Sequence, residues 1–144
     1  MGFTVLFPDT VEVIDAIRSG IGRDVIFYSG IITTCSACSL DPVTNTSTNP
    51  FCVNCDGEHF ITVYTGVTLT GHITWGSSDG LGWVTGGQMM EGDCRVQIKY
   101  TVLNEGIVND TEYLVVDGKT MEIKKRIMRG VKQLNRILLE LIER

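Results

Sequence analysis

The chain has 144 residues, of which 43% are hydrophobic and 8% aromatic, and its formal net charge is −5. This length suits one domain, over residues 1–144, that buries a sizeable core without disulfides or metals. No run of about 18 apolar residues occurs, which excludes a membrane-spanning helix. The apolar N-terminus lacks the basic flank and cleavage site of a signal peptide, so we expect no membrane partner.

The charge is divided unevenly along the chain. Residues 1–118 contain fourteen acidic and four basic residues, a net charge of −10. Residues 119–144 contain three acidic and eight basic residues, a net charge of +5. The acidic part argues against general nucleic-acid binding, because affinity for phosphate depends on Lys and Arg. The basic segment can contact phosphate or an acidic protein neighbour.

The first predicted elements are a short helix and a strand. Asp9 can cap a helix, and apolar residues follow at near-helical spacing up to an expected stop at Gly20. We therefore predict a helix over Thr10–Ser19. The branched and aromatic residues between Asp24 and Thr33 then predict a strand.

Two Cys-x-x-Cys pairs follow this strand, separated by thirteen residues: Cys35 with Cys38, and Cys52 with Cys55. Each pair can form a tight turn that aims two thiolates at one point, and structural Zn²⁺ prefers a closed tetrahedron of four ligands. The linker Ser39–Phe51 is rich in turn residues and almost free of apolar side chains, so a metal must stand in for a core. We predict a structural zinc site made by these four cysteines, on a zinc-ribbon-like finger inserted over residues 35–58.

The four cysteines have alternative interpretations. Two disulfides are possible, but disulfides rarely persist in the cytosol. A redox Cys-x-x-Cys is possible too, although two pairs framing a polar loop are unusual for that role. A catalytic zinc needs an open coordination position, which four thiolates do not leave. His59 lies four residues after Cys55 and can replace one thiol as a ligand.

The rest of the chain predicts short strands. They cover Phe60–Tyr64, Val67–Trp75, a segment at Leu81–Thr85, Cys94–Val102, Tyr113–Val116 and Lys119–Ile123. Asp117-Gly118 suits a type I′ hairpin turn, which needs positive φ. Short strands at this spacing indicate a barrel or sandwich, and closure into a barrel removes sheet edges. The predicted fold class is mainly β: a small antiparallel β-barrel with a short N-terminal helix and the inserted finger.

The C-terminal segment, residues 124–144, has two interpretations. Apolar residues such as Ile127, Leu134 and Leu138 fit a helical stripe, but Gly130 interrupts it. The same residues also fit a strand, a loop around Arg129–Asn135 and a final strand. We favour this second interpretation.

No catalytic set emerges from the sequence, and we expect no enzyme activity. His72 lies beside Ile73 in a predicted strand, where a packed or surface histidine is the ordinary case. Cys94 is a lone thiol in a strand, which predicts a small buried hydrophobe. The glycine pair Gly86-Gly87 falls between strands and not between a strand and a helix, so it is not a phosphate loop.

Short motifs in a particular order resemble a known family. They are Gly22–Phe27 after the helix, then Met90–Val96, Tyr113–Gly118, Arg129-Gly130 and Asn135–Ile137. This order is similar to that of the small β-barrel neck proteins of tailed phages, the head-closure or head–tail connector proteins. The resemblance covers most of the chain outside residues 35–56.

The resemblance implies a structural virion protein with no catalytic residues. Such a protein forms a homo-oligomeric ring in the virion neck after assembly in the host cytoplasm. Its partners are a portal or adaptor protein and a tail-side neck or terminator protein, and DNA passes through its lumen without sequence recognition.

Two other classes of function stay open. A zinc-ribbon nucleic-acid-binding or transcription-accessory protein carries basic and aromatic residues on its ribbon, but residues 35–58 contain no Lys or Arg. A small metalloenzyme needs an open zinc position and a base.

Overall fold

The computed structural model describes residues 10–76, 83–84, 87–88, 93–130 and 133–144. Their elements are α1 (Thr10–Ile21), β1 (Arg23–Thr34), β2 (Leu40–Asp41), β3 (Thr46–Ser47), β4 (Phe60–Trp75), β5 (Trp83–Val84), β6 (Gly87–Gln88), β7 (Cys94–Lys99), α2 (Val102–Asp110), β8 (Tyr113–Val116), β9 (Lys119–Arg129) and β10 (Arg136–Glu143). Neither of these helices is long and apolar enough to cross a membrane.

Six of the strands form a closed barrel in the order β1-β4-β7-β10-β9-β8. All six pairings are antiparallel. This confirms the predicted fold class, a mainly β chain with a small antiparallel barrel and a short N-terminal helix.

The core of the barrel comes from alternate residues of its strands. In β7 the side chains of Cys94, Val96 and Ile98 are buried and those between them are less so. Further core residues are Val25, Phe27, Leu114, Val116, Met121, Ile137, Leu139 and Leu141. The period of two places one face of each strand inside, as the sequence pattern predicts.

The hairpin β8–β9 and the final strand agree with the sequence prediction. Asp117 and Gly118 have φ of 49° and 78°, the positive values that a type I′ turn requires. The backbone N–H of Asn135 donates to the carbonyl of Arg129 over 3.0 Å, which closes the loop before β10. The C-terminal segment is therefore strand, loop and strand.

Helix α1 is longer than predicted. It continues past Gly20 and ends at Ile21, and the N–H of the next residue, Gly22, donates to the carbonyl of Arg18 over 2.7 Å. An added Cβ at Gly22 would collide with that same carbonyl oxygen, so the glycine belongs at this exit. Asp9, the expected cap, lies outside the described residues.

Two predicted strands are in fact one. Phe60–Tyr64 and Val67–Trp75 join into β4, because Gly66 continues the ladder opposite Tyr28. Of the segment predicted at Leu81–Thr85, the structure describes Trp83–Val84, which is β5 and pairs with β6.

Helix α2 is a correction to the sequence prediction, which extends a strand through Val102 and expects β structure beyond it. The side chain of Thr101 accepts a hydrogen bond from the backbone N–H of Asn104 over 3.0 Å and so caps the helix. Only Val108 of this helix is buried, so the sequence has no apolar stripe that would reveal it.

The pairing of β1 with β4 extends beyond the barrel. It runs from Arg23 opposite Gly71 to Thr34 opposite Phe60. However, β8 lies beside β1 only over Val25–Tyr28, and β7 lies beside β4 only over His72–Trp75. We call the part of this ribbon formed by residues 29–34 and 60–65 the arm. Residues 35–59, which contain the four paired cysteines, lie at its tip, and we call them the finger.

Candidate metal centre

The four cysteines of the two Cys-x-x-Cys pairs lie together in the finger. Their Sγ atoms are all within 4.8 Å of one another. The Sγ atoms of Cys35 and Cys52 are 3.9 Å apart, and those of Cys38 and Cys55 are 3.5 Å apart. A zinc–thiolate tetrahedron with bonds of about 2.3 Å has edges of about 3.8 Å, so the spacing is compatible with zinc. All four thiols are free, which disagrees with the disulfide interpretation.

The turn after Cys55 forms one side of the centre. Asp56 and Gly57 both have positive φ, 49° and 85°, which turn the chain back sharply. A Cβ at Gly57 would come within 2.8 Å of the carbonyl oxygen of Pro50. The turn also lets the backbone N–H of His59 donate to the Sγ of Cys55 over 3.3 Å. Hydrogen bonds of this kind favour the ionised thiol that a metal requires.

The arm closes the other side of the centre. The backbone N–H of Cys35 donates to the carbonyl of His59 over 2.7 Å, directly after the last pair of the arm, Thr34 with Phe60. Ile61 packs against the buried cysteines. The arm thus fixes where the first cysteine lies.

The polar linker between the cysteine pairs folds on backbone hydrogen bonds. Its strands β2 and β3 form a small hairpin in which the carboxylate of Asp41 accepts from the N–H of Val43 over 2.9 Å. The N–H of Ser47 donates to the carbonyl of Gly57 over 2.9 Å, and that of Thr48 to Ser39 over 2.9 Å. These bonds join the hairpin to both cysteine pairs without an apolar core.

Two of the thiols have opposite pKa shifts. Burial raises the pKa of Cys55, but hydrogen bonds from the backbone of His59, from the thiols of Cys38 and Cys52 and from the backbone of Gly57 lower it from 9.0 to about 7. The hydroxyl of Ser47 lowers the pKa of Cys38, but burial and the other three finger thiols raise it to about 12. Hydrogen bonds among the thiols thus shift the pKa values of two neighbours in opposite directions, and a bound cation is the natural way to ionise all four.

His59 lies beside the cysteine cluster. Its side chain is buried, and its Nδ1 is 3.3 Å from the Sγ of Cys38. This is the position of a group that hydrogen-bonds a ligand thiolate and fixes its direction. Among the described residues, the group that can hold a metal ion is made of the four cysteines and does not include His59.

The other residues considered from sequence lie in the barrel. Cys94 is buried in β7, as predicted for a small hydrophobe, and burial together with Asp117 and Asp93 raises the pKa of its thiol to about 12. His72 is half-buried in β4 opposite Gln97. Neither residue belongs to the metal centre.

Sequence reasoning missed Ser47 and the amide donors of the turn after Cys55. Asp56-Gly57 directly after the last cysteine is the signal that could have revealed that turn, because this dipeptide favours positive φ. Ser47 carries no such signal, since its proximity to the thiols depends on how the hairpin folds.

Comparisons of the chain with protein-family models, with curated proteins and with solved structures give no match. The assignment of a function therefore depends on the fold and on the finger.

Proposed function

We propose that the chain is a structural virion protein of a tailed phage, a ring-forming neck component of the head-closure or head–tail connector class. The observation that carries this proposal is the architecture: a small closed barrel extends a two-stranded arm with a cysteine finger at its tip. The order of short sequence motifs supports the same class. The protein acts by assembly and makes or breaks no covalent bond.

The finger contains one structural Zn²⁺ bound by Cys35, Cys38, Cys52 and Cys55. The support is the spacing of the four sulfurs and the polar linker, which has no apolar core of its own. A metal at this point makes the tip of the arm rigid where a polar loop alone would be mobile. A rigid tip suits docking, because less conformational entropy is lost on binding.

The metal is tested by elemental analysis of protein purified without added metal. We expect about one equivalent of zinc per chain, as is normal for a tight structural site. Less than about a third of an equivalent, with four finger thiols that react freely, would contradict the zinc assignment.

The charge pattern suits a neck ring. The acidic part of the chain repels DNA and keeps a channel from adhering to it. The basic C-terminal segment attracts an acidic partner, such as the neighbouring ring of a portal, adaptor or tail-side neck protein. DNA then passes through the lumen of the ring without sequence recognition.

The location is tested on purified virions by protein mass spectrometry together with negative-stain microscopy of the isolated protein. The proposal predicts the protein in the particles at the copy number of a ring, and annular density for the assembled protein. A monomer that is absent from particles and binds a promoter or RNA with steep salt dependence would favour the zinc-ribbon alternative instead.

A further inference from the structure

The arm has two backbone edges that pair with no further strand among the described residues. Ser29–Thr34 and Phe60–Thr65 pair only with each other. The carboxylate of Glu112 lies over one face of the arm at Gly30, where it accepts a hydrogen bond from the hydroxyl of Tyr64 over 3.0 Å, and it leaves both backbone edges uncovered by a strand. An open edge presents unpaired N–H and C=O groups, which readily accept another strand.

The side chains of the arm also indicate a binding surface. Arm residues 29–34 and 60–65 include no charged residue, and Ile31, Ile32, Val63 and Tyr64 are exposed, Ile32 by 70%. Further apolar side chains of the finger are exposed by about nine-tenths: Val43, Phe51 and Val53. Exposed apolar groups in such a row are typical of interaction sites.

The finger adds a charge requirement for the partner. Its charged residues are Asp41, Asp56 and Glu58, without any Lys or Arg. A Zn²⁺ ion with four thiolates contributes a further net charge of about −2. A partner that pairs with the arm and the finger therefore needs an open strand edge beside basic side chains.

The same chain offers this surface on β9. Its residues 122–129 lie along β10 with a bulge at Lys124, whereas β8 reaches only Lys119–Met121, so no described strand pairs with the other edge of β9 beyond Met121. Lys124, Arg126 and Arg129 are exposed along it, and none of them forms an ion pair within the described ranges. Eight residues of strand span about 26 Å and the six-residue arm about 20 Å, so the lengths match.

We propose that the arm of one copy adds to the open edge of β9 in a second copy as an extra strand, with the acidic finger beside Arg129 and Arg136. Arg136 lies directly opposite Arg129 in the sheet, so the positive charge is concentrated at that end. The inference rests on the self-assembly in the proposed function and names the contact between subunits. Because the two surfaces differ, the contact is head-to-tail and forms a ring when its rotation closes.

Two variants, each with one surface damaged, test the contact. Ile32→Asn with Val63→Asn removes the apolar side chains of the arm without adding charge, and Lys124→Glu with Arg126→Glu reverses the charge of the β9 edge. We expect the wild-type protein to form larger assemblies and each variant alone to stay monomeric. An equimolar mixture should give dimers and nothing larger, because each variant keeps one intact surface that the other needs.

Native mass spectrometry and light scattering measure these states, and circular dichroism checks that both variants are folded. Asn109→Glu, at an exposed position of α2, is the matched control and should assemble like the wild type. The contact is supported if dimers form in the mixture and neither variant forms them by itself. Assembly of either variant by itself, a mixture of folded monomers, or a wild-type protein that stays monomeric overturns it. If the variants still form wild-type rings and the protein is present in virions, the contact is wrong and the proposed function stands.

Discussion

At the scale of single residues, five free cysteines lie in two different environments. Cys94 is surrounded by the apolar core of the barrel, whereas the other four lie within reach of one another in the finger. Substitution at the two places should therefore affect different properties. We expect substitution of a finger thiol to change the metal content of the protein, and substitution of Cys94 to change the stability of the barrel.

Cys52→Ser should remove the metal and leave the barrel folded. Serine is similar in size, but its hydroxyl does not supply the thiolate that Zn²⁺ prefers. Elemental analysis should show metal loss, limited proteolysis should cut within Ser39–Phe51, and the far-UV circular dichroism of the strands should remain. The control Cys94→Ala should keep the metal and lower the free energy of unfolding by about 1–2 kcal/mol through lost packing. Global unfolding of Cys52→Ser would show that the barrel depends on the finger.

His59→Asn should keep the metal, because the four thiols complete the shell without the imidazole. Asparagine tolerates the positive φ of 69° at this position, so the backbone is not strained. Cobalt substitution provides the measurement, since its absorption spectrum distinguishes four sulfur ligands from three sulfurs and one nitrogen. An unchanged cobalt spectrum is expected, and a changed one would make His59 a ligand.

Cys94 should make stability fall in alkaline solution. Burial raises the pKa of its thiol from 9.0 to about 12, with Asp117 and Asp93 adding to the rise. The unfolded chain ionises near the ordinary pKa, so this stabilisation is complete below about pH 9 and is lost as the pH rises towards the folded value. Urea unfolding between about pH 9 and pH 12 measures the free energy of unfolding, which should decline less in Cys94→Ala than in the wild type. Equal declines in both proteins would contradict the prediction.

At the scale of elements, α2 depends on its cap. Thr101→Ala removes the acceptor for the N–H of Asn104 and should lower the free energy of unfolding by about 1 kcal/mol. Thr101→Ser keeps the hydroxyl and should retain most of the stability. Denaturant unfolding of the three proteins makes the comparison, and equal midpoints would mean that the cap contributes nothing.

Local patterns predicted most of the strands correctly. The alternation in β7 and Asp117-Gly118 between β8 and β9 act within a few residues, so the sequence alone reveals them. The continuity of β4 through Gly66 is not local. A Cβ at Gly66 would lie 3.0 Å from the ring of Tyr28, so this glycine makes room for a cross-strand side chain and does not mark a turn.

The candidate metal centre also combines features that the local sequence predicts with features that depend on the tertiary structure. The grouping of the four cysteines follows from their spacing, because each pair lies within one turn of the chain. The approach of Ser47 and of the His59 ring to the thiols depends on the hairpin β2–β3 and on the end of the arm, which are tertiary features. The length of the arm likewise depends on where β7 and β8 stop pairing with it.

At the scale of the whole molecule, the division of charge has a structural location. The acidic finger lies at the tip of the arm, whereas five basic residues lie on β9 and Arg136 begins β10. Within the described ranges, the ion pairs of β9, β10 and Arg144 involve Glu140, Glu143 and Glu122, and none of them includes a finger residue. The finger's charge is thus available to another molecule.

Self-association should therefore weaken as salt is raised. Between about 0.05 M and 0.5 M salt the screening length falls from about 14 Å to about 4 Å, which weakens attraction between exposed charges. Sedimentation velocity should show the assemblies dissociating over this range. Glu58→Gln should flatten the salt dependence, because it removes one exposed finger charge from a residue that is not a metal ligand, and Glu12→Gln in α1 is the control for a charge elsewhere. Association that strengthens with salt, equally in all three proteins, would mean that the contact is apolar and that the division of charge has no part in it.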